Sequence, residues 1–122
     1  MVEDDPFIAD IYLLELESKG YSAEVATNGR EAIEKLAKGN YDLILLDVVM
    51  PEKDGFSTLS EIKANPSIKT PVIILSNLGQ ESDIKKAMSF GADDYIVKTH
   101  FTPREVLKKI EELLKKKNSN QS

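Results

Sequence analysis

Apolar and polar positions along this chain follow two patterns that alternate from one end to the other. Short runs of mostly branched apolar residues, LILL before Asp47 and VIIL before Ser76, are typical of strands buried on both faces. Elsewhere apolar residues recur every three or four positions, which is the spacing of one helix face. Strands that alternate with helices are joined by right-handed crossovers, so the pattern predicts a parallel sheet with helices on both faces.

Turn and cap signals set the bounds of these elements. Asp5-Pro6 has the form of an N-cap followed by proline at the first helical position, and Thr102–Glu105 has the form of a capping box. Five helices are predicted, at Pro6–Lys19, Asn28–Lys38, Phe56–Ala64, Ser82–Phe90 and from Pro103 onward. Strands are predicted at Met1–Val2, at Tyr21–Ala26, before Asp47, at Thr70–Asn77 and at Asp94–Lys98.

Length and composition narrow the class of protein. A chain of 122 residues can bury one core, and we expect a single domain over residues 1–117 followed by a polar tail at 118–122. The chain has no cysteine, no apolar stretch of membrane-spanning length and no signal-peptide pattern at its start, so a cytoplasmic protein without membrane contact is expected. A net charge of −5 and a pI near 4.9 argue against direct binding of nucleic acid.

Polar residues stand at the carboxyl ends of the predicted strands. Asp47, Ser76 and Lys98 each end an apolar strand, and Asp4 and Asp5 follow the first one. In a parallel sheet these ends share one edge, which is where ligands bind in open α/β folds. The alternation of strands and helices therefore predicts a site built by five side chains from four separate places in the sequence.

The chemistry of these five side chains favours phosphoryl transfer. Clustered carboxylates repel one another, which raises their pKa values and favours a divalent cation, and all-oxygen ligands suit Mg²⁺. A lysine ammonium pairs with a phosphoryl oxygen, and a serine hydroxyl donates to another. The set predicts transfer of a phosphoryl group onto Asp47, since aspartyl phosphate is an established covalent form of such carboxylates.

Four segments give the chain a resemblance to a known family. They are VEDD at Val2–Asp5, LILLDVVMPEKDG at Leu43–Gly55, PVIILSN at Pro71–Asn77 and GADDYIVK at Gly91–Lys98. In this order, and over essentially the whole chain, they resemble the receiver domain of two-component response regulators. The resemblance implies a flavodoxin-like, doubly wound sheet of five parallel strands in the order 2-1-3-4-5, with an unusually short first strand.

The same resemblance implies a role for each candidate residue. Asp47 would accept a phosphoryl group from a histidine kinase or a phosphotransfer protein of a phosphorelay. Lys98 would match the family's lysine, Ser76 its switch hydroxyl and Tyr95 its rotating aromatic switch. The implied magnesium ligands are Asp4, Asp5, Asp47 and the backbone carbonyl of Val49.

A bistable switch follows from these roles. Phosphorylation adds about −1.5 to −2 charge and three acceptor oxygens at Asp47. We expect Ser76 to move and donate to them, Lys98 to pair with them, and Tyr95 to turn into the space that Ser76 leaves. The face made by the helix at Ser82–Phe90, the last strand and the last helix would then repack for a downstream protein partner. Such a domain is a signalling switch and not an enzyme, although it assists its own phosphorylation and dephosphorylation.

Three positions depart from the family's pattern. Thr99 stands where a proline with a cis peptide bond usually follows the lysine. A cis bond before a non-proline residue costs roughly 3–4 kcal/mol, so we expect a trans bond or a reshaped loop. Asn77 replaces the small residue that commonly follows the switch hydroxyl. The first strand supplies only Met1 and Val2, and three explanations stay open: a chain shorter than its natural one, a strand supplied by a neighbouring molecule in a homodimer, or a tolerated short strand.

Three functions are compatible with the residues. The first is a phosphoryl-accepting switch. The second is a receiver-like protein-binding module that no longer depends on phosphorylation, a hypothesis that Asn77, Thr99 and the short first strand support. The third is an aspartate-based phosphohydrolase, but that class has a second acid two residues after its nucleophile, where this chain has Val49.

Overall fold

The computed structural model describes residues 1–48 and 55–120. Within these ranges helices alternate with strands, and one turn of 3₁₀ helix follows the last strand. In chain order the elements are α1 (Pro6–Ser18), α2 (Gly29–Lys38), β1 (Ile44–Leu46), α3 (Gly55–Ala64), β2 (Val72–Ser76), α4 (Glu81–Ser89), β3 (Asp94–Val97), the 3₁₀ turn (Lys98–His100) and α5 (Pro103–Asn120).

The five predicted helices are confirmed, and their described ends lie within one residue of the predicted ones except at the end of α5. The capping signals explain the starts. The Asp5 carboxylate accepts from the N–H groups of Phe7 and Ile8, and Thr102 and Glu105 exchange hydrogen bonds as a capping box does. The helix α5 continues to Asn120, three residues into the segment predicted as a polar tail. Across the described ranges, no helix combines the length and apolar character that a membrane span requires.

The described strands form a parallel sheet in the order β1-β2-β3. At one side of β1, Val2 makes isolated parallel bridges to Leu46 and to Ala26. The amino-terminal segment thus lies between the predicted second strand and β1, as the predicted order requires. Of the predicted strand Tyr21–Ala26, only Ala26 is paired, because Met1 and Val2 alone lie beside it. A five-stranded order therefore stays a prediction beyond these three strands.

Side chains alternate between the two faces of the sheet, and each face carries its own core. Leu46 and Ile74 pack on the face covered by α2, α3 and α4, whereas Leu45 and Ile73 pack on the face covered by α1 and α5. Strands that are buried on both faces explain why the runs in the sequence are continuously apolar. The predicted layer arrangement is confirmed.

The last strand ends one residue earlier than predicted. Lys98 begins the 3₁₀ turn, and the described ranges contain no cis peptide bond, so the bond before Thr99 is trans as expected. This turn carries the Lys98 side chain back over the carboxyl edge of the sheet, where the predicted site lies.

Candidate active site

Asp47 follows β1 directly and is held in place by the backbone of the amino-terminal segment. Its N–H donates to the carbonyl of Val2 at 3.2 Å, and its side chain is 12% exposed. The strand thus delivers the carboxylate to the carboxyl edge of the sheet, with one side still open to solvent. A nucleophile for a bulky phosphoryl group needs this combination of fixed position and access.

Lys98 joins Asp47 to a second carboxylate, that of Glu3, which the sequence pattern did not predict as part of the site. The Lys98 ammonium lies 2.7 Å from Glu3 Oε1 and 3.1 Å from Asp47 Oδ2. Burial alone would lower the pKa of Lys98, but the hydrogen bond to Glu3 and the charges of Asp47 and Glu3 outweigh it, so the pKa is raised. The lysine is therefore a fixed positive charge across the neutral pH range.

Glu3 is the most unusual group of the site. Its side chain is 1% exposed, and its Oε2 atom has no hydrogen-bond partner among the described residues. Burial raises the pKa of Glu3 to about 7; the hydrogen bond from Lys98 opposes this shift and Asp47 adds to it. A buried carboxylate oxygen without a partner is costly, so this atom is suited to a cation that the site would hold.

Asp4 completes a group of three carboxylates. One oxygen each from Glu3, Asp4 and Asp47 lies within 4.8 Å of the other two. The Lys98 ammonium pairs with two of them, Glu3 and Asp47. Carboxylate oxygens, one of them buried and unpartnered, form a donor set that fits Mg²⁺.

Asp5 lies elsewhere, and here the expected acidic pair has to be corrected. The carboxylate of Asp5 caps α1, with Oδ1 2.9 Å from the N–H of Phe7, and Glu3 takes the position beside Asp47 that was expected for it. The sequence contained the signal for this, because Asp5-Pro6 was already identifiable as an N-cap. A carboxylate that satisfies a helix start is not free to face the sheet edge. Val49, the other expected ligand, lies outside the described residues.

Ser76 and Tyr95 are brought together through the backbone of Leu78. The fully buried Ser76 Oγ accepts from the N–H of Leu78 at 3.2 Å, and the Tyr95 hydroxyl donates to the carbonyl of Leu78 at 2.5 Å. Burial raises the pKa of Tyr95; Ser76 opposes the shift, and the charges of Asp83 and Asp47 reinforce it. The backbone of one residue, Leu78, thus connects the serine at the end of β2 with the tyrosine of β3.

Gly55 fixes the start of α3 against the backbone that follows β1. Its N–H donates to the carbonyl of Val48 at 3.2 Å. A Cβ at this position would lie 2.2 Å from Val48 Cα and 2.4 Å from the Asp47 carbonyl oxygen. Only glycine permits so close an approach of two backbones.

Comparison with known proteins agrees with this geometry. The family model for the response regulator receiver domain matches residues 1–111. This chain belongs to that family. Its members are signalling switches of two-component systems; they bind Mg²⁺ at an acidic pocket and interact with histidine kinases.

Two response regulators are similar to this chain in sequence along most of its length. Transcriptional regulatory protein ResD of Bacillus subtilis is 40% identical over 116 residues, which is 95% of this chain and 47% of ResD. Transcriptional regulatory protein SrrA of Staphylococcus aureus is 36% identical over 119 residues, which is 98% of this chain and 48% of SrrA. The chain spans about half the length of these relatives, both named as regulators of transcription.

Solved receiver domains share the fold. The receiver domain of the Francisella response regulator 1452 has a TM-score of 0.86 and 34% identity, and covers 95% of this chain and 94% of its own. Response regulator TrrA of Thermotoga maritima, solved in complex with Mg²⁺ and BeF, has a TM-score of 0.79 and 34% identity. The match covers 92% of this chain and 94% of TrrA.

Proposed function

We propose that this chain is the phosphoryl-accepting switch of a two-component system and that Asp47 is its acceptor. The observation that carries the proposal is the cluster of Glu3, Asp4, Asp47 and Lys98, in which one buried oxygen of Glu3 has no partner among the described residues. A protein-binding module that had lost phosphate dependence would have no need to keep this arrangement, which costs stability.

The transfer itself is a simple displacement. An oxygen of the Asp47 carboxylate attacks the phosphorus of a phosphohistidine on the kinase. The new bond is the P–O bond of an acyl phosphate, the bond that breaks is P–N, and the imidazole nitrogen leaves with the electron pair. Lys98 keeps an anionic partner in this step, because its ammonium moves from the Asp47 oxygen to a phosphoryl oxygen nearby.

Glu3, Asp4 and Asp47 are the residues that would hold Mg²⁺. The cation would supply positive charge against the phosphoryl oxygens that approach three carboxylates. Val49 stays a predicted backbone ligand, and Asp5 is replaced by Glu3 in the proposed set. The buried position of Glu3 keeps its carboxylate fixed, so the site is organised before any phosphoryl group arrives.

The backbone of Leu78 is the proposed route from the phosphoryl group to the exterior. If Ser76 turns to donate to a phosphoryl oxygen, its Oγ gives up the N–H of Leu78. The Tyr95 hydroxyl, which donates to the carbonyl of the same residue, then adjusts with it. The proposed switch thus couples β2 to β3 and to the face formed with α4 and α5.

The phosphoryl donor is proposed to dock on α1. Phe7, Ile11 and Leu14 are 80%, 48% and 70% exposed and recur on one side of this helix, which starts beside Asp4. Asp10 and Glu17 flank the stripe. A donor helix with an apolar stripe and basic flanks is complementary to this surface and would bring its histidine near Asp47.

Acetyl phosphate with Mg²⁺ tests the acceptor directly. We expect the wild-type chain to gain the mass of one phosphoryl group, and Asp47→Asn to gain none. Asp93→Asn is the matched control, because Asp93 also pairs with a lysine but lies at the opposite edge of the sheet. A wild-type chain that shows neither a mass gain nor a Mg²⁺-dependent response to beryllofluoride would favour the phosphate-independent binding module instead.

A second variant separates docking from chemistry. Leu14→Glu should reduce transfer from a phosphorylated kinase by about tenfold or more, because it places charge in an apolar contact. Its uptake from acetyl phosphate should equal that of the wild type. Equal transfer from the kinase in both proteins would place the donor on another surface.

A further inference from the structure

The start of α2 contains the one asparagine of the chain that a glycine follows, Asn28-Gly29. The backbone nitrogen of the next residue can attack an asparagine side chain, and glycine leaves that nitrogen unshielded because it has no Cβ. The other asparagines precede larger residues or, at Asn65, a proline whose nitrogen carries no hydrogen. The sequence therefore favours this attack at Asn28 over attack at any other asparagine.

The folded backbone holds Asn28 away from this reaction. Asn28 is the N-cap of α2, with a φ of −156° and a ψ of 174°, and its Oδ1 accepts from the N–H of Glu31 at 2.9 Å. A five-membered ring needs the Cβ, Cα and carbonyl carbon of Asn28 and the Gly29 nitrogen near one plane, and an extended ψ keeps them out of it. The backbone angle must therefore change, and the cap hydrogen bond with it, before a ring can close.

The side chain of Glu31 reinforces the cap. Its Oε2 accepts from the N–H of Thr27 at 3.2 Å and from the Thr27 hydroxyl at 2.7 Å, and these hydrogen bonds lower the pKa of Glu31. On the helix side, the Asn28 carbonyl accepts from the N–H of Ala32 at 3.1 Å. Asn28 is thus held from both sides, and the first turn of α2 must open before its backbone can turn.

We propose that Asn28 is a site of spontaneous deamidation, with water as co-reactant, that the first turn of α2 keeps closed. In the opened turn the Gly29 nitrogen attacks Asn28 Cγ and forms the new N–C bond of a succinimide. The bond from Cγ to the side-chain nitrogen breaks, and ammonia leaves with the proton that Gly29 carried. Water then adds to one of the two ring carbonyl carbons. Opening at Cγ gives aspartate, and opening at the backbone carbon gives isoaspartate, in which the chain runs through the former side chain.

The two products differ in their effect on the acidic cluster. Ala26, two residues before Asn28, accepts from the N–H of Glu3 at 2.9 Å. Aspartate keeps an oxygen for the cap and places negative charge at the start of α2, where it is favourable. Isoaspartate adds one methylene to the backbone and moves the carboxylate onto Cα, so the cap is lost and the hydrogen bond between Ala26 and Glu3 is weakened.

Peptide mapping by mass spectrometry tests the proposal. The chain is kept at mildly alkaline pH, either folded or in guanidinium chloride, and a gain of about one mass unit at residue 28 is followed over time. Asn28→Ser gives the baseline, since serine caps a helix and has no amide. Glu31→Ala removes the hydrogen bonds to Thr27. Glu34→Ala is the matched control, because Glu34 is exposed on the same helix.

Opening the first turn should accelerate the reaction. We expect deamidation of Asn28 to be about tenfold faster or more in denaturant, and about fivefold faster or more in folded Glu31→Ala, with Glu34→Ala within about twofold of the wild type. In the isolated isoaspartate product the Glu3 amide should exchange about tenfold faster than in the wild type. Asn28→Asp should leave that exchange rate unchanged.

Four results would overturn the proposal. They are no mass gain at residue 28 in denaturant, equal rates in the folded and unfolded chain, equal rates in Glu31→Ala and Glu34→Ala, and a gain that falls mainly on another asparagine. An unchanged Glu3 exchange rate in the isoaspartate product would contradict its effect on the acidic cluster. Phosphoryl uptake is not part of any readout, so the outcome does not depend on the proposed function.

Discussion

Two groups of paired lysine and carboxylate side chains lie at opposite edges of the sheet. They differ in how deeply the side chains are buried and in how many carboxylates contact the lysine. At the amino edge, Lys63 lies 2.8 Å from Asp93 Oδ2, with side chains 27% and 28% exposed. The same oxygen also accepts from the N–H of Val72 at 2.7 Å. At the carboxyl edge, Lys98 is 8% exposed and is shared by two carboxylates.

The difference shows how burial separates a structural pair from a functional one. The amino-edge pair is partly exposed, and it ties α3 to the start of β3. The carboxyl-edge cluster brings three carboxylates together beside Lys98 and leaves the buried Glu3 Oε2 without a partner among the described residues. A buried carboxylate oxygen without a partner is unfavourable for folding, so it indicates a site for a ligand.

Removing each lysine in turn is the strongest test of this comparison. Lys98→Met should reduce phosphoryl uptake from acetyl phosphate by about a hundredfold or more, because a fixed positive charge beside the phosphoryl oxygens is lost. Lys63→Met should leave uptake within about twofold of the wild type. Rates from mass spectrometry decide the question, and comparable losses in the two variants would erase the proposed distinction.

The helix α3 runs from the carboxyl edge of the sheet to the amino edge. A substitution at its first residue, Gly55, should lower the unfolding free energy strongly. Gly55→Ala places a methyl group 2.2 Å from Val48 Cα, so backbone must shift and unfolding free energy should fall by about 3 kcal/mol. Gly39→Ala is the control, since its methyl group would meet only the Tyr41 side chain at 3.3 Å. Urea unfolding of the two variants provides the measurement. Equal losses of stability would contradict the close approach at Gly55.

The pH dependence of stability should reveal the burial of the Glu3 carboxylate. Its folded-state pKa of about 7 lies above the ordinary 4.5, so the folded chain binds the proton more tightly than the unfolded chain. Stability from this group is therefore complete below pH 4.5 and falls as pH rises toward 7, by on the order of 3 kcal/mol at most. Mg²⁺ should restore part of it at pH 8.

Glu3→Gln isolates this contribution. The variant should lack the decline between pH 4.5 and 7, and it should gain less from Mg²⁺ at pH 8, because the unpartnered carboxylate oxygen is gone. Denaturant titrations at several pH values are the measurement. A decline of the same size in both proteins would assign it to groups other than Glu3.

Asp93→Asn should give the smallest effect. The amide oxygen can still accept from the N–H of Val72, and the charge that is lost faces the partly exposed Lys63. We expect a loss of unfolding free energy below about 1 kcal/mol, reduced further by salt. A loss several times larger would mean that this pair is as important to the fold as the buried cluster.

Much of the site could be predicted because its residues end apolar strands. Asp47, Ser76 and Lys98 each follow a run whose burial is evident from composition, and parallel topology then brings them to one edge. The choice between Asp5 and Glu3 could not be made in this way. The Asp5 carboxylate accepts from the N–H groups at the start of α1, so the ligand set depends on where the extended segment stops and the helix begins.

Hydrogen bonds made by backbone groups could not be predicted from the sequence either. The link between Ser76 and Tyr95 runs through the N–H and carbonyl of Leu78, groups that every non-proline residue has, so no residue type signals it.

The sequence by itself determined the five helices, the layers, the family and the position of Asp47 at the end of a strand, because these follow from local periodicity, caps and strand ends. Only the tertiary structure decided that Glu3 pairs with Lys98 and that its second oxygen has no partner. Burial and charge balance arise from segments 95 positions apart in the chain. Electrostatic energy depends on those distances and not on the order of residues.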